Sequence, residues 1–521
     1  MTLRAIHDFE LALLDPCLAM TERGMRIDDV KRQQMLADLA AARAPLEADV
    51  SAYVTQNVLV THAARLAESK AHLFHKRVVC ACCRNGKAKR VACWECAGFE
   101  KKPTAKQLRE RSTFLQQSAP GVQHGDYVVV DVSPLKPCAV CAGAGASTRV
   151  VFNPASDTQL KIVLYELLKL PPRTKHKVLT TEEPALKSLL AFAAPEVGDF
   201  IRKLLRIGKL DTTASTLRRI APGPDGRIRS VYNPAGTETG RFASSETFLI
   251  QSTNLNNMQK REAVEPMFDV RACFVPSEGC VFVEADFSGA EAWITACCSQ
   301  DYALLELLRS GAKIHRWTAA RALGKPESEV TEQEYSLYKT ARHALNYGMQ
   351  PPTFVQNVNE VADRTGVAIT LAQGRKVYVD YHALHPNLAG LWWKNVQATL
   401  VRTGRLTTCF ERMRTFYGRN RGEWLGETHR EGIAHEPQST IADLLNRGLL
   451  RWWRQHDGKV GNLLAQVYDS LLIETPRERA TLCAQLAKRC LTEEIEVHGI
   501  KITVPVDVKV LESWAVTKGT M

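Results

Sequence analysis

Apolar positions recur with a helical period through most of the chain and crowd into a few short runs elsewhere. Residues 2 to 56 read as two helices with a turn at Arg23-Gly24-Met25. The second starts at about Asp28 and carries Met35, Leu36, Leu39 and Leu46 on one face. From about 61 to 150 the period fails, and Gly, Cys, Lys and Pro dominate. Helical patterns resume at Thr158–Leu170, Glu182–Ala193 and Val197–Ile220, and the loop Ala221-Pro-Gly-Pro-Asp-Gly226 closes that block. An apolar strand at Cys280–Ala285 leads into a long helical region from Gly289 to about Leu400. The end piece is α/β, with strands at Leu463–Val467, Leu471–Glu474 and near Ile502–Val510.

Three places in this pattern carry chemistry. The strand Cys280–Ala285 runs into Asp286-Phe287-Ser288, and a helix follows with Glu291 in its first turn. A carboxylate at a strand end faces a ligand, or it is an ordinary cap or turn residue. The apolar runs around Gln466-Val467-Tyr468-Asp469-Ser470 read as a tight hairpin with Asp469 at its tip, and there too the turn alone accounts for an Asp. On the helix ending Lys339-Thr-Ala-Arg342-His343-Ala-Leu-Asn346-Tyr347-Gly348, residues Lys339, His343 and Tyr347 fall at i, i+4 and i+8. Two basic groups and a ring on one stripe suit a triphosphate and a base, or form a solvated polar face.

Composition changes the picture in one region. The 521 residues hold 68 Lys plus Arg against 56 Asp plus Glu, a formal charge of +12. Between Lys70 and Arg111 there are 12 Lys or Arg and 3 Glu, so +9 sits in 42 residues. Such a surplus suggests a polyanionic partner, most often nucleic acid. The same neighbourhood holds 7 of the 15 cysteines, including Cys80-Ala-Cys82-Cys83, Cys93-Trp-Glu-Cys96 and Cys138-Ala-Val-Cys141. Three C-x-x-C pairs fit a reducing compartment and metal better than disulfides. Cys80, Cys83, Cys93, Cys96, Cys138 and Cys141 are the expected ligands of one or two structural Zn²⁺ ions, with the pairing left open. A small segment with little apolar content needs such a staple to fold. Asp8 and Glu10 interrupt any apolar leader, and no run of 18 apolar residues occurs, so neither a secretory signal nor a membrane span is expected. The absence of a G-x-x-x-x-G-K-[ST] loop argues against a P-loop ATPase.

Nine segments together resemble the family A, polymerase I-like DNA polymerases, in that family's order. Met20-Thr-Glu22-Arg-Gly24-Met-Arg-Ile27-Asp28 and Phe152-Asn153-Pro-Ala-Ser156 to Leu170-Pro171 open the series. Thr239-Gly240-Arg241-Phe-Ala-Ser244, Thr253-Asn254-Leu255-Asn256-Asn257, Asp286-Phe-Ser-Gly-Ala-Glu291 (motif A) and Gly311-Ala-Lys-Ile314-His315 follow. The helix 339–348 is similar to motif B, Pro437-Gln438-Ser-Thr440-Ile-Ala-Asp443 to a V-Q-G-T-A-A-D segment, and Gln466-Val-Tyr-Asp469 to motif C.

The resemblance implies an α+β, multidomain right hand with an antiparallel palm sheet and an added zinc-binding insertion. The segments would be N-terminal helices joining palm and thumb (1–60), the cysteine-rich basic insertion (61–150), thumb (151–225), first palm part (226–300), fingers (301–404) and second palm part (405–521). It implies a template-directed DNA polymerase that extends a primer with dNTPs, using two Mg²⁺ ions held by Asp286, Asp469 and the Phe287 carbonyl. Glu291 would crowd a ribose 2′-hydroxyl. His315, Lys339, Arg342, His343 and Tyr347 would complete the nucleotide site, with His343 in the place of the usual proton-donating Lys. A free imidazole, with a pKa of about 6.5, is mostly neutral at pH 7, so Arg342 is the candidate to compensate. Arg241, Asn254, Asn257, Arg412, Arg414, Gln438, Gln466 and Tyr468 would contact primer–template DNA. Ser470 stands where motif C has a second carboxylate.

The same resemblance suggests a monomer in the cytoplasm, that of a bacterial host if the source is a bacteriophage, serving genome replication. Asp8-Phe-Glu10 has the D-x-E look of an exonuclease motif without a strand around it, so the expectation is a polymerase lacking its own 3′→5′ exonuclease. Proofreading would then come from a separate protein, and the insertion would bind DNA or a processivity factor. A repair or lesion-bypass polymerase and a catalytically weakened DNA-binding scaffold are the rival readings.

Overall fold

The computed structural model describes residues 3–62, 70, 72–79, 146–150, 152–247, 250–258, 268–418 and 426–515. The six C-x-x-C cysteines, and so the zinc expectation, lie outside the described residues. The chain divides into two compact units, Ala42–Gly208 and the union of Met1–Ala41 with Lys209–Met521.

The larger unit is organised by one sheet. Strand β4 (Cys280–Phe287) pairs antiparallel with β6 (Ser470–Pro476) on one side and with β9 (Val506–Leu511) on the other, and β5 (Asn462–Val467) lies outside β6. Val281, Val283, Ala285 and Phe287 are buried on one face, beneath helix α4 (Ala480–Leu491). Each such Val or Phe contributes about 1.5–3 kcal/mol by leaving water. Glu284 and Asp286 project from the opposite face and are only half-buried.

After β4 the chain turns at Gly289, whose φ of +64° costs a glycine nothing, and enters helix α1 (Ala290–Ser299). Helix α2 (Glu332–Leu345) starts with a capping box of Thr331 and Glu334. Helix α3 (Glu427–Gln455) packs against both α1 and α4.

Three expectations about elements are corrected. The N-terminal stretch is not two helices. It forms helices at Leu3–Ala12 and Leu14–Arg23, strand β1 (Met25–Ile27) and the helix Asp29–Ala52. β1 is the middle of a small sheet between β2 (Arg227–Ile228) and β3 (Phe274–Val275), partners about 200 residues away that local periodicity does not reveal. The last strand is interrupted at Pro505, which has no amide to donate, so Ile500–Thr503 (β8) and β9 are separate. β8 pairs instead with β7 (Glu494–Val497), a strand the pattern missed.

The smaller unit is mainly helical. Val54, Val58, Phe152, Val163, Leu164, Leu167, Leu189, Phe200 and Ile201 form its core. The helices expected at 158–170, 182–193 and 197–220 are present, the last spanning Pro195–Arg219.

Candidate active site

Asp286 sits near the end of β4, in register with Ser470 of β6 and Asp507 of β9. Directly paired residues of an antiparallel sheet point to the same face, with Cβ atoms about 4.5–5.5 Å apart. Tyr468 and Asp469 are the two-residue turn between β5 and β6, and Tyr468 takes the left-handed φ of 57°. The Phe287 amide donates to the Asp469 carbonyl at 3.3 Å, which ties the hairpin tip to the end of β4. Two carboxylates and the adjoining backbone thus meet on rigid elements. Hard oxygen donors of this kind fit divalent Mg²⁺. The Ser470 hydroxyl turns back to the Val467 carbonyl at 3.0 Å.

Beside this point lies a cleft of about 620 Å³, lined among others by Arg241, Asn257, Glu291, Tyr468 and Asp469. Glu291 is the centre of its polar wall. Its Oε2 is 3.2 Å from His343 Nδ1, and its Oε1 accepts from the Tyr347 hydroxyl. Burial works to raise the Glu291 pKa, but these two hydrogen bonds, with the charges of His343 and Arg241, hold it below the usual carboxylate range. An ionised carboxylate only accepts, so His343 Nδ1 carries the proton of that bond. Burial, then the neighbouring Glu291, push the Tyr347 phenol well up, which keeps it a donor.

Lys339 and His343 share a face of α2 as expected. The helix ends at Leu345, however, so Tyr347 reaches Glu291 from the turn that follows and not from a third helical step. That turn is held from behind, where Tyr381 donates to Asn346 Oδ1 at 2.6 Å and Trp393 Nε1 donates to the Asn346 carbonyl at 3.0 Å. The His315 ring lies 5.8 Å from that of His343. Burial, then the charges of Arg342, His343 and Lys339, push His315 down to about 3, so it offers a neutral donor or acceptor and no charge.

Arg342 is a correction. It is buried, and its Nη2 donates to Thr318 Oγ1 at 3.0 Å. One step around the helix from His343, its side chain faces the interior, and its charge acts on His315.

The expected DNA contacts also divide. Arg241, Asn257 and Tyr468 line the cleft, and Tyr468 donates to the Asn256 carbonyl at 2.7 Å. Gln438 is half-buried on α3, one turn before the cleft residues Ile441 and Ala442. Gln466 is buried behind the hairpin, with Nε2 donating to the Tyr468 carbonyl at 3.1 Å. Asn254 is occupied in its own turn, accepting from Ser244 Oγ at 2.5 Å and from the Asn257 amide at 3.3 Å.

Arg412 is turned inward. It is buried in ion pairs with Asp443 at 2.8 Å and Glu10 at 2.7 Å. Gly240, at φ +77°, leaves the room this guanidinium needs, since a Cβ there would stand 2.7 Å from it. Arg414 pairs with Glu238 and Glu431 and lies 4.4 Å over the Phe416 ring, so its charge is neutralised locally. The sequence reading missed Asn256, Met258, Ile441 and Ala442 in the cleft wall, and Asp507. The alternation Val506-Asp507-Val508 was the available signal for Asp507.

The arrangement is that of a polymerase domain. The structure resembles the POL domain of Pol1 from M. smegmatis in complex with DNA primer-template and dNTP, with a TM-score of 0.66 and 20% identity, covering 97% of this chain and 70% of that one. The family model for DNA polymerase family A matches residues 142–516. The chain belongs to DNA polymerase family A. It is 27% identical over 375 residues to the thermostable DNA polymerase I of Thermus aquaticus, covering 70% of this chain and 42% of the relative. It is 25% identical over 371 residues to DNA polymerase I of Aquifex aeolicus, covering 70% and 58%. Among the described residues, no helix is long and apolar enough to cross a membrane.

Proposed function

We propose that this chain is a template-directed DNA polymerase that adds dNTPs to a primer 3′ end. The observation that carries the reading is the convergence of Asp286, the Phe287 backbone and Asp469 beside a cleft lined by Glu291, which His343 and Tyr347 hold by hydrogen bonds. Asp286, Asp469 and the Phe287 carbonyl would hold Mg²⁺. When bound, the two ions supply activation of the primer hydroxyl and charge neutralisation at the leaving pyrophosphate.

The chain's own residues do the rest. Glu291, fixed by two donors, stands where a ribose 2′-hydroxyl would have to displace a hydrogen bond, which selects deoxynucleotides. Lys339 and His315 bind phosphate oxygens, the first by charge and the second as a neutral partner. With Nδ1–H turned to Glu291, a neutral His343 presents Nε2 as an acceptor, so proton donation to pyrophosphate requires its imidazolium form. Arg241, Asn257, Gln438 and Tyr468 line the path of the primer–template, where backbone contacts give sequence-independent affinity. Gln466 sets the Tyr468 carbonyl from behind. Glu10 is engaged by Arg412 on a helix, which argues against an exonuclease role for Asp8 and Glu10.

In the same reading the insertion 61–150 binds one or two Zn²⁺ through its cysteines and uses its positive charge to clamp DNA, in a phage-type replicative enzyme. Deleting 66–149 and measuring products per binding event without a partner protein tests the clamp. For the polymerase reading itself, primer extension with Mg²⁺ and dNTPs decides. Asp286→Ala and Asp469→Ala should each lower extension by at least about 10³-fold while primer–template binding persists. Undiminished extension by both variants would overturn it.

A further inference from the structure

A second cluster of ligating side chains lies outside the cleft. Cys298, in the last turn of α1, is 4% exposed. Glu436 projects from α3 with its side chain 14% exposed, and His498 sits in the turn between β7 and β8. One oxygen, one nitrogen and one sulfur from these residues lie within 4.8 Å of one another. His498 Nε2 is 2.9 Å from Glu436 Oε1. His498 takes a left-handed φ of 50°, with Gly499 at 77° after it, and this tight turn carries the ring back over α3. We propose that Cys298, Glu436 and His498 form a three-residue Zn²⁺ site.

The chemistry of the donors selects the ion. One thiolate, one imidazole and one carboxylate are the mixed soft and hard set that Zn²⁺ accepts in a tetrahedron, with water in the fourth position. Mg²⁺ and Ca²⁺ demand oxygen ligands and reject the sulfur. Bond lengths of about 2.0–2.3 Å around Zn²⁺ put neighbouring ligand atoms within about 4 Å of each other, so the cluster closes with side-chain adjustment alone. Burial, then the Glu436 carboxylate, hold the Cys298 thiol well above its ordinary range, so it keeps its proton unless a cation competes for the sulfur.

The position explains the use. α1 follows the Asp286 strand, α3 carries Gln438 and the cleft residues Ile441 and Ala442, and β8 leads within three residues to β9 and Asp507. One ion would tie together three segments that frame the cleft, two of which already meet in the His498–Glu436 pair. The site stands independently of the cysteine-rich segment and of the polymerase reading.

The test is zinc stoichiometry of the full chain, measured by elemental analysis after growth with zinc and desalting. Cys298→Ser and His498→Gln should each lose one zinc per chain relative to the unaltered protein, whatever the cysteine-rich segment holds. In the cobalt-loaded protein, the thiolate-to-metal absorption attributable to this site should fall in Cys298→Ser. His498→Gln changes a half-exposed turn residue, so it decides the matter should Cys298→Ser fail to fold. An unchanged zinc content in a folded His498→Gln protein would overturn the site and leave a simple histidine–glutamate ion pair.

Discussion

The Phe287 amide and the Asp469 carbonyl, 182 positions apart in the chain, are joined at 3.3 Å. This bond extends the β4–β6 ladder by one step, to the tip of the β5–β6 hairpin. The proposed catalytic carboxylates thus stand at adjoining ends of neighbouring strands of one sheet. Asp507, in register with Asp286, adds a third carboxylate to the same face.

Asp507 lies across β4 from Ser470, where the family's second motif C carboxylate is missing. If Asp507 supplies the lost charge, Asp507→Asn should lower primer extension by about tenfold, equivalent to about 1.4 kcal/mol. Ser470→Glu in that background should restore part of it. An Asp507→Asn enzyme with unaltered single-turnover rates would assign Asp507 to the surface alone.

Tyr347 holds Glu291 through its hydroxyl. Removing it in Tyr347→Phe frees one oxygen of Glu291 and loosens the wall against a 2′-hydroxyl. Incorporation of ribonucleotides relative to deoxynucleotides should rise by up to about tenfold, as expected for a hydrogen bond to a charged group. Competition assays with paired nucleotides measure the ratio.

Arg412 and Arg241 should separate stability from binding. Arg412→Ala leaves Asp443 buried without its partner, and breaking such a pair costs about 3–5 kcal/mol. The denaturation midpoint should fall. Arg241→Ala should leave the midpoint nearly unchanged. If Arg241 contacts a phosphate, the variant should weaken primer–template binding and reduce the salt slope of log K by about 1. The opposite assignment of effects would return Arg412 to the DNA surface.

Asp301 and His385 form a buried pair at 2.7 Å, and Asp301 also caps the following helix through the Leu304 amide at 3.0 Å. Burial works to raise the Asp301 pKa, but the hydrogen bonds from His385 and Leu304 hold it below the ordinary value. A depressed folded-state pKa adds stability above the unfolded value of about 3.9, and that stability is lost as the pH falls through the folded value. Asp301→Asn should therefore destabilise the protein by about 1–3 kcal/mol at pH 7 and flatten the acid limb of its stability curve below about pH 4. Chemical denaturation from pH 3 to 7 gives the comparison. A parallel curve for the variant would remove Asp301 from the acid response.

Much of the site was legible because its residues occur as short contiguous motifs. Asp286 with Glu291, and Gln466 with Asp469, are each set by a strand–turn that local pattern reveals. The resemblance that put Arg412 against DNA could not show its partners, because Glu10 and Asp443 come to it from distant parts of the chain. Arg342 entered as a candidate to compensate for His343, and a step of about 100° around α2 buries one and exposes the other.

By itself the amino-acid sequence determined most of the helices and the strands β4, β5 and β6, the Asp286 and Asp469 motifs with their order, and the concentration of positive charge between Lys70 and Arg111. Those properties depend on residues within a turn or two of each other. Tertiary structure alone decided that Glu291, His343 and Tyr347 share one hydrogen-bonded wall, that Asp507 stands opposite Asp286, and that Cys298, Glu436 and His498 converge. Each of those depends on which distant strands pair and which helix faces meet. Pairing register and packing are set by burial of whole faces, so residues far apart in the chain acquire their chemical partners only when the sheet and its helices close together.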